Sequence, residues 1–342
     1  MAETRTVLVT GSAGFIGFWL SRLLLERGFK VVGLDSLSDY YDVGLKEARL
    51  AQLTGQHGFT QYHAKVEDAD AVRRVFQDHE PDVVVHLAGQ AGVRHSLKAP
   101  RDYVDANLVG SFNIMEGARE FGVEHLLMAS TSSVYGANTE MPYRETDKVD
   151  TQMSFYAATK KANEAMAHSY AHLHNIPTTM FRFFTVYGPW GRPDMAPYLF
   201  TSAILAGEPI KVFNHGNMQR DFTYVADLVE AIRQLLDVPP ANEGKDGDSL
   251  SPVAPYRIVN IGNSEPVKLL DFIEAIETAT GKTAEKVFMD IQPGDVPATW
   301  ADASLLHRLT GYRPATDIRT GVAAYVDWFK SYYPSVEEAR PK

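Results

Sequence analysis

Cysteine is absent from the 342-residue chain, which excludes disulfides, thiolate nucleophiles and cysteine-based zinc sites. No apolar run approaches the ~20 residues that a membrane-spanning helix requires. The first apolar strand begins within a few residues of Met1, with no room for a cleaved secretory signal, so a cytoplasmic location is expected. Positive charge is in short supply, 33 Lys and Arg against 43 Asp and Glu, a net charge of −10. Nucleic acid and anionic membranes, which call for a basic surface, are therefore not expected partners. An anionic small substrate would have to be held by a few local arginines. No repeat at a fixed period is visible. The 45% hydrophobic and 22% charged fractions suit a globular enzyme long enough for two lobes.

What the chain does contain is concentrated near its start. Thr10-Gly11-Ser12-Ala13-Gly14-Phe15-Ile16-Gly17 follows the apolar run Val7-Leu8-Val9 and precedes an amphipathic segment over 18–27. Strand, glycine-rich turn and helix in that order make half of a βαβ unit, whose helix N-terminus offers N–H groups to a phosphate. Gly11 suits a tight turn, Gly14 a close approach to a pyrophosphate, and Gly17 close helix packing. A second apolar strand over 29–35 ends in Asp35. A carboxylate at this distance from the glycines accepts hydrogen bonds from both ribose hydroxyls and repels a 2′-phosphate. With no Arg between Ser36 and Asp42, the expected cofactor is NAD rather than NADP.

Strand and helix patterns then alternate. Strands are predicted over 59–64, 81–89, 125–129 and 178–184, and helices within 36–52 and over 70–79, 107–121 and 163–174. The strand over 81–89 ends in Leu87-Ala88-Gly89, small residues that admit a cofactor to the backbone. The alternation predicts an α/β fold, a Rossmann-type doubly wound parallel sheet, with ligands at the carboxyl ends of its strands. Beyond Phe184 the alternation stops. The expected organisation is an NAD-binding domain over 1–184, rejoined by a strand and helix at about 221–238. A smaller α/β C-terminal substrate lobe covers 185–220 and 256–342. The segment 239–255, rich in proline and charge, is expected to be an exposed, mobile loop.

The strongest catalytic pattern is Tyr156-Ala157-Ala158-Thr159-Lys160. Four residues apart on a helix, Tyr156 and Lys160 share a face. The ammonium is expected to lower the phenol from ~10, together with the positive nicotinamide, so that Tyr156 serves as general base. Alone this pattern says little. It lies downstream of the glycine loop and of the hydroxyl cluster Thr131, Ser132 and Ser133, which follows the fifth strand.

The glycine loop, Asp35, the hydroxyl cluster with Val134-Tyr135-Gly136, and Tyr156 with Lys160 together resemble the extended short-chain dehydrogenase/reductase family over nearly the whole chain. Within it, the segments 35–50, Ala91-Gly92-Val93-Arg94, 156–164, 182–194 and 292–296 are most similar to the UDP-glucuronate 4-epimerases. The resemblance implies that Thr131 hydrogen-bonds the sugar 4-OH, Tyr156 is the base and Lys160 anchors the nicotinamide ribose. It places Gly11, Gly14, Phe15, Ile16, Gly17, Asp35, Leu87, Ala88 and Gly89 around NAD. Related 4,6-dehydratases carry Asp-Glu where this chain has Ser132-Ser133, so elimination is not expected. The implied reaction is transient oxidation at C4, rotation of the 4-keto sugar, and reduction on its other face.

A 4-keto uronate is a β-keto acid, prone to lose CO₂. Ser132, Ser133 and Thr185 are candidates to hold its carboxylate out of conjugation, against the alternative that each is an ordinary loop hydroxyl. Arg220 matches the family's diphosphate arginine. Arg192 and Arg94 are further candidates for diphosphate or carboxylate, by bidentate contact. Phe213 lies by the uracil or in the core. Gln292 stands where galactose-type relatives have Arg, and Lys65 where many relatives place an adenine-binding Asp. A homodimer is implied, with Phe112 and Met115 read as core or dimer packing. His168 and His172 have metal-pair spacing but no third ligand, so no metal is expected. Asp68 and Asp70 are read as helix capping. The expected activity is reversible C4 epimerisation of UDP-glucuronate. UDP-glucuronate decarboxylation, epimerisation of a neutral UDP-hexose and a non-catalytic NAD sensor stand as alternatives.

Overall fold

The computed structural model describes residues 4–241, 247–292 and 295–335. Its centre is a seven-stranded parallel sheet. Six strands arise where the apolar runs predict them: β1 (Thr6–Thr10), β2 (Lys30–Asp35), β3 (Phe59–His63), β4 (Val83–His86), β5 (His125–Thr131) and β6 (Thr178–Phe183). Strands β1, β4 and β5 are almost completely buried, because helices cover both faces and every position needs an apolar or satisfied side chain. The helices of this half are α1 (Phe15–Glu26), α2 (Val43–Leu53), α3 (Ala69–His79), α4 (Pro100–Tyr103), α5 (Gly110–Phe121) and α6 (Phe155–His174). Asp68 caps α3 by accepting from the Ala71 amide at 3.0 Å. The helix expected over 107–121 is α-helical from Gly110, after a π-helical turn at Val104–Val109.

The chain continues through β7 (Thr185–Tyr187), α7 (Ala196–Ala206), β8 (Ile210–Phe213), β9 (Gln219–Tyr224) and α8 (Val225–Leu235). There follow β10 (Tyr256–Ile261), β11 (Pro266–Lys268), α9 (Leu269–Thr280), β12 (Lys286–Met289), β13 (Ala298–Thr299), α10 (Ser304–Thr310) and α11 (Ile318–Tyr332). The main sheet runs β10-β6-β5-β4-β1-β2-β3, so strand order reverses between β1 and β4. A crevice opens there at the carboxyl ends, the usual ligand position in doubly wound sheets.

Two boundary expectations need correction. The helix of the 221–238 segment does return, since α8 packs its Val225, Leu228 and Ile232 into the core beneath α1. Its strand does not, because β9 pairs with β7, β11 and β13 in the smaller sheet. The strand that rejoins the main sheet is β10, assigned from sequence to the substrate lobe. It lies parallel to β6, with Val259 opposite Phe181. Of the expected exposed loop, 242–246 lies outside the described residues, and 247–255 is docked rather than loose. Asp248 and Arg257 form a buried ion pair at 2.9 Å. His168 and His172 hold the same segment to α6, through Ser251 Oγ at 2.9 Å and the Val253 carbonyl at 2.7 Å.

Helix α6 is locked to the sheet by a second buried ion pair. Arg182 Nε and Nη2 each donate at 2.9 Å to the two oxygens of Glu164, and Ser130 Oγ donates to Glu164 at 2.7 Å. Both charged side chains are 1% exposed. Breaking such a pair from one side leaves an uncompensated charge and costs about 3–5 kcal/mol. Glu164→Gln is therefore expected to lower unfolding stability by about that amount, read as a reduced urea midpoint at unchanged m-value.

Candidate active site

The glycine loop sits at the reversal point. Gly11 has φ +74°, and a Cβ there would lie 2.9 Å from the Ala88 amide nitrogen. Only glycine lets β1 turn this closely against the end of β4. A Cβ on Gly17 would collide with the Gly11 carbonyl, whereas Gly14 meets only that carbonyl, at 3.0 Å. Asp35, at the end of β2, accepts from the Ala13 amide at 3.0 Å and from the Leu37 amide at 2.8 Å. The carboxylate thus touches the glycine loop, where the sequence spacing predicts it. The Thr10 hydroxyl accepts from the Leu87 and Ala88 amides at 3.1 Å and meets His86 Nδ1 at 2.7 Å. Burial, helped by the Lys160 charge, pushes His86 down to about 3, so this histidine is neutral and structural.

Ser154 caps α6 by accepting from the Ala157 amide at 3.1 Å and so starts the helix just before Tyr156. The Tyr156 hydroxyl lies close enough to Thr131 for that side chain to lower its pKa. Thr131 in turn accepts from the Ser133 amide at 3.2 Å. One helical turn on, Lys160 Nζ donates to the Ala129 carbonyl at 3.1 Å and lies beside Gly89. Burial brings Lys160 down to about 8. The expected lowering of Tyr156 by Lys160 is not what the protein shows. Burial raises the phenol above its usual value, and the opposing influences are the Thr131 side chain and the Arg192 guanidinium. The ammonium is turned to the Ala129 carbonyl instead.

Asn107 has no motif in the sequence to mark it. Fully buried in the π-helical turn, its Oδ1 accepts from the Gln90 amide at 2.8 Å. Its Nδ2 donates to the Gln90 carbonyl and to Thr159 Oγ1, both at 3.0 Å. It therefore joins the loop after β4 to α6. The local signal was an asparagine inside a helical pattern, where its propensity is poor.

On the substrate side, Ser132 and Ser133 open a 3₁₀ turn directly after β5. Thr185 begins β7, two residues beyond Phe183, the register partner of Thr131. Arg192 is paired bidentately with Asp194, Nε at 3.0 Å and Nη2 at 2.5 Å, and Tyr40 donates to the same carboxylate at 3.1 Å. Arg94 pairs with Asp295 at 3.1 Å, and its guanidinium lies 5.2 Å from the Phe213 ring centre. Gln292 sits at the same place, its carbonyl accepting from the Asp295 amide at 3.1 Å. Pro293 and Gly294 lie outside the described residues. Arg220 donates to the carbonyls of Gln219, Val296 and Pro297 at 2.8, 2.7 and 3.1 Å. Among the described residues no carboxylate forms an ion pair with it; burial lowers its pKa, against the opposing charge of nearby Asp295. Lys65, 70% exposed, pairs with Glu67.

A family model described as the NAD dependent epimerase/dehydratase family matches residues 7–262. The chain belongs to this family. It is 53% identical to Protein CapI of Staphylococcus aureus over 96% of this chain and 99% of that one. It is 51% identical to a probable UDP-glucuronate 4-epimerase of Rhizobium meliloti, over 95% and 97% respectively. Among solved structures it resembles the UDP-glucuronic acid 4-epimerase of Bacillus cereus in complex with UDP-glucuronic acid and NAD. The TM-score is 0.86 at 33% identity, covering 96% of this chain and all of the other.

In this member of the NAD dependent epimerase/dehydratase family, the buried Lys160 links folding to pH. Its proton is released at about 8 in the folded chain but near 10.4 in the unfolded one. Between these values the unfolded state holds more protons, so stability rises with pH. The rise attributable to Lys160 is about 3 kcal/mol. Lys160→Met is expected to remove it, measured as the difference between wild-type and variant urea stability at pH 8 and pH 10.5.

Proposed function

We propose that this protein interconverts UDP-glucuronate and UDP-galacturonate by epimerisation at C4, with NAD as a resident cofactor. The observation that carries the reading is the placement of Tyr156 of α6 beside Thr131, the last residue of β5, at the carboxyl end of the main sheet. Lys160 lies one turn away, and Ser132 and Ser133 occupy the positions where an eliminating enzyme needs acid and base.

The glycine loop and Asp35 suit NAD. A side chain at Gly11 or Gly17 would fill the cradle, and the carboxylate disfavours a 2′-phosphate. Gly11, Gly14, Phe15, Ile16 and Gly17 hold the diphosphate, Asp35 the adenine ribose, and Lys160 the nicotinamide ribose, with Leu87, Ala88 and Gly89 as the floor. When bound, NAD supplies the acceptor for the C4 hydrogen and, while oxidised, a positive ring charge.

Thr131 orients the sugar 4-hydroxyl, and Tyr156 removes its proton and later returns it. Since burial raises the free phenol, the base becomes competent when positive charge enters the site. Ser132, Ser133 and Thr185 hold the carboxylate through neutral hydroxyls, and Arg192, already neutralised by Asp194, adds a weak cationic wall. Arg220 takes the diphosphate. Its carbonyl partners satisfy its N–H groups without cancelling its charge, which leaves that charge for an anion. Arg94 assists across the cleft beside Gln292, and Phe213 lies against the uracil. A homodimer paired through α5, the turn before it and α6 is supported by Val109, Phe112 and Leu173, which are 40, 44 and 68% exposed, whereas Met115 is core.

Incubation with UDP-glucuronate and no added cofactor, followed by NMR, is expected to give UDP-galacturonate at equilibrium without CO₂. A UDP-pentose with CO₂, or an inert protein, overturns the reading. Tyr156→Phe is expected to lower turnover by about 10²–10⁴-fold while NAD stays bound. Near-normal turnover would remove Tyr156 from the role of base.

A further inference from the structure

Among the described residues two arginines are fully buried, Arg182 and Arg49. Arg182 meets Glu164. Arg49, in α2, meets no carboxylate among the described residues. Its Nη1 donates to the Ala13 carbonyl at 3.0 Å and to Tyr41 Oη at 2.8 Å. Its Nε and Nη2 donate to the Trp190 carbonyl at 3.1 and 2.7 Å. A buried charge without a counter-charge is unfavourable, so a side chain needed only to fill space would be apolar. What a guanidinium adds is a rigid fork of donors that holds two separated carbonyls at once.

The two carbonyls belong to the two halves of the site. Ala13 lies in the glycine loop, and its amide is held by Asp35. Trp190 lies in the segment that enters the substrate lobe, two residues before Arg192. Trp190 has φ +65°, a left-handed conformation unusual for a bulky residue. Such conformations persist where the surroundings over-determine them, and they gather at functional sites. Here the surroundings are the two Arg49 donors, the Trp19 indole donating to the Pro189 carbonyl at 2.8 Å, and rings of Phe18, Trp328 and Tyr332 within 5.0–5.7 Å. The left-handed turn sets the direction in which Arg192 and Asp194 leave.

We propose that Arg49 is a positioning residue that sets the segment 190–194 in register with the glycine loop, so that cofactor cradle and sugar wall are held as one unit. Arg49 touches no reacting atom in this scheme. It acts through the Trp190 turn on Arg192, and through Ala13 on the dinucleotide. The inference rests on the reading of UDP-glucuronate as substrate and NAD as cofactor.

The test is Arg49→Met and Arg49→Lys in the full-length holoenzyme, measuring KM and kcat for UDP-glucuronate, NAD retained per protomer, and melting temperature. Arg49→Met is expected to raise KM about tenfold, by a larger factor than kcat falls, and to lower the retained NAD. Arg49→Lys keeps the charge but not the fork and is expected to fall between. A merely structural strut would lower the melting temperature and the active fraction, hence kcat, without moving KM. A KM within about twofold of wild type with full NAD content overturns the proposal, whatever the melting temperature. Should Arg49→Met not fold, Trp19→Phe removes a donor to the same turn and is expected to raise KM about threefold. Unchanged KM in both it and Arg49→Lys overturns the proposal equally. A wild type inert toward UDP-glucuronate would defeat the substrate reading alone, and the NAD content of the variants would still test the tie to the glycine loop.

Discussion

The bidentate pair between Glu164 and Arg182 is the constraint on which the site's geometry depends. Glu164 lies on α6 two turns beyond Tyr156 and one beyond Lys160, on the same helical face. Its carboxylate is gripped by Arg182 from β6 and by Ser130 from β5, and Ser130 immediately precedes Thr131. One carboxylate therefore fixes α6 against β5 and β6 beside the hydroxyl cluster. The network continues outward, with the Arg182 guanidinium 4.7 Å from the Tyr135 ring centre and Tyr135 donating to Asn260 at 2.7 Å. Strand β10, carrying Asn260, is thereby tied to the loop that follows Thr131.

Burial sets the electrostatic character of the centre. It drives His86 neutral, lowers Lys160 and raises Tyr156, so the protein by itself disfavours charge where the chemistry occurs. That suits a reaction that interconverts a neutral alcohol and a ketone. On the proposed mechanism, a phenol kept neutral until a positive charge arrives is a base switched on by its partner. In the proposed site, uncharged hydroxyls follow the same logic, since they would orient a carboxylate without adding charge near the carbonyl.

The cleft is closed from the far side by a second hub. Asp221 accepts from the amides of Asn263, Ser264 and Ala301 at 2.7, 2.9 and 3.1 Å. It gathers the ends of β10 and β13 around β9 and so presents Arg220. Arg94, from the opposite wall, reaches across to Asp295 and Phe213. The described residues thus place cationic side chains on both walls, one held by carbonyls and one by a carboxylate.

Much of this was legible in the chain because the physics is local. A β-branched run, a turn that only glycine allows, a carboxylate at the next strand end, and a Tyr and Lys one helical turn apart are all short-range patterns. They determined six of the seven strands of the main sheet, the glycine turn and the shared face of Tyr156 and Lys160. The tertiary structure decided what depends on residues far apart in sequence. Asn107 acts through Thr159, Arg49 through Trp190, and Glu164 through Arg182. Strand β10 finds its place only after the chain has built a separate lobe. The direction of the Tyr156 shift is of the same kind, because spacing tells which charge is one turn away, whereas burial and the carbonyl that captures Lys160 exist only once the chain has folded.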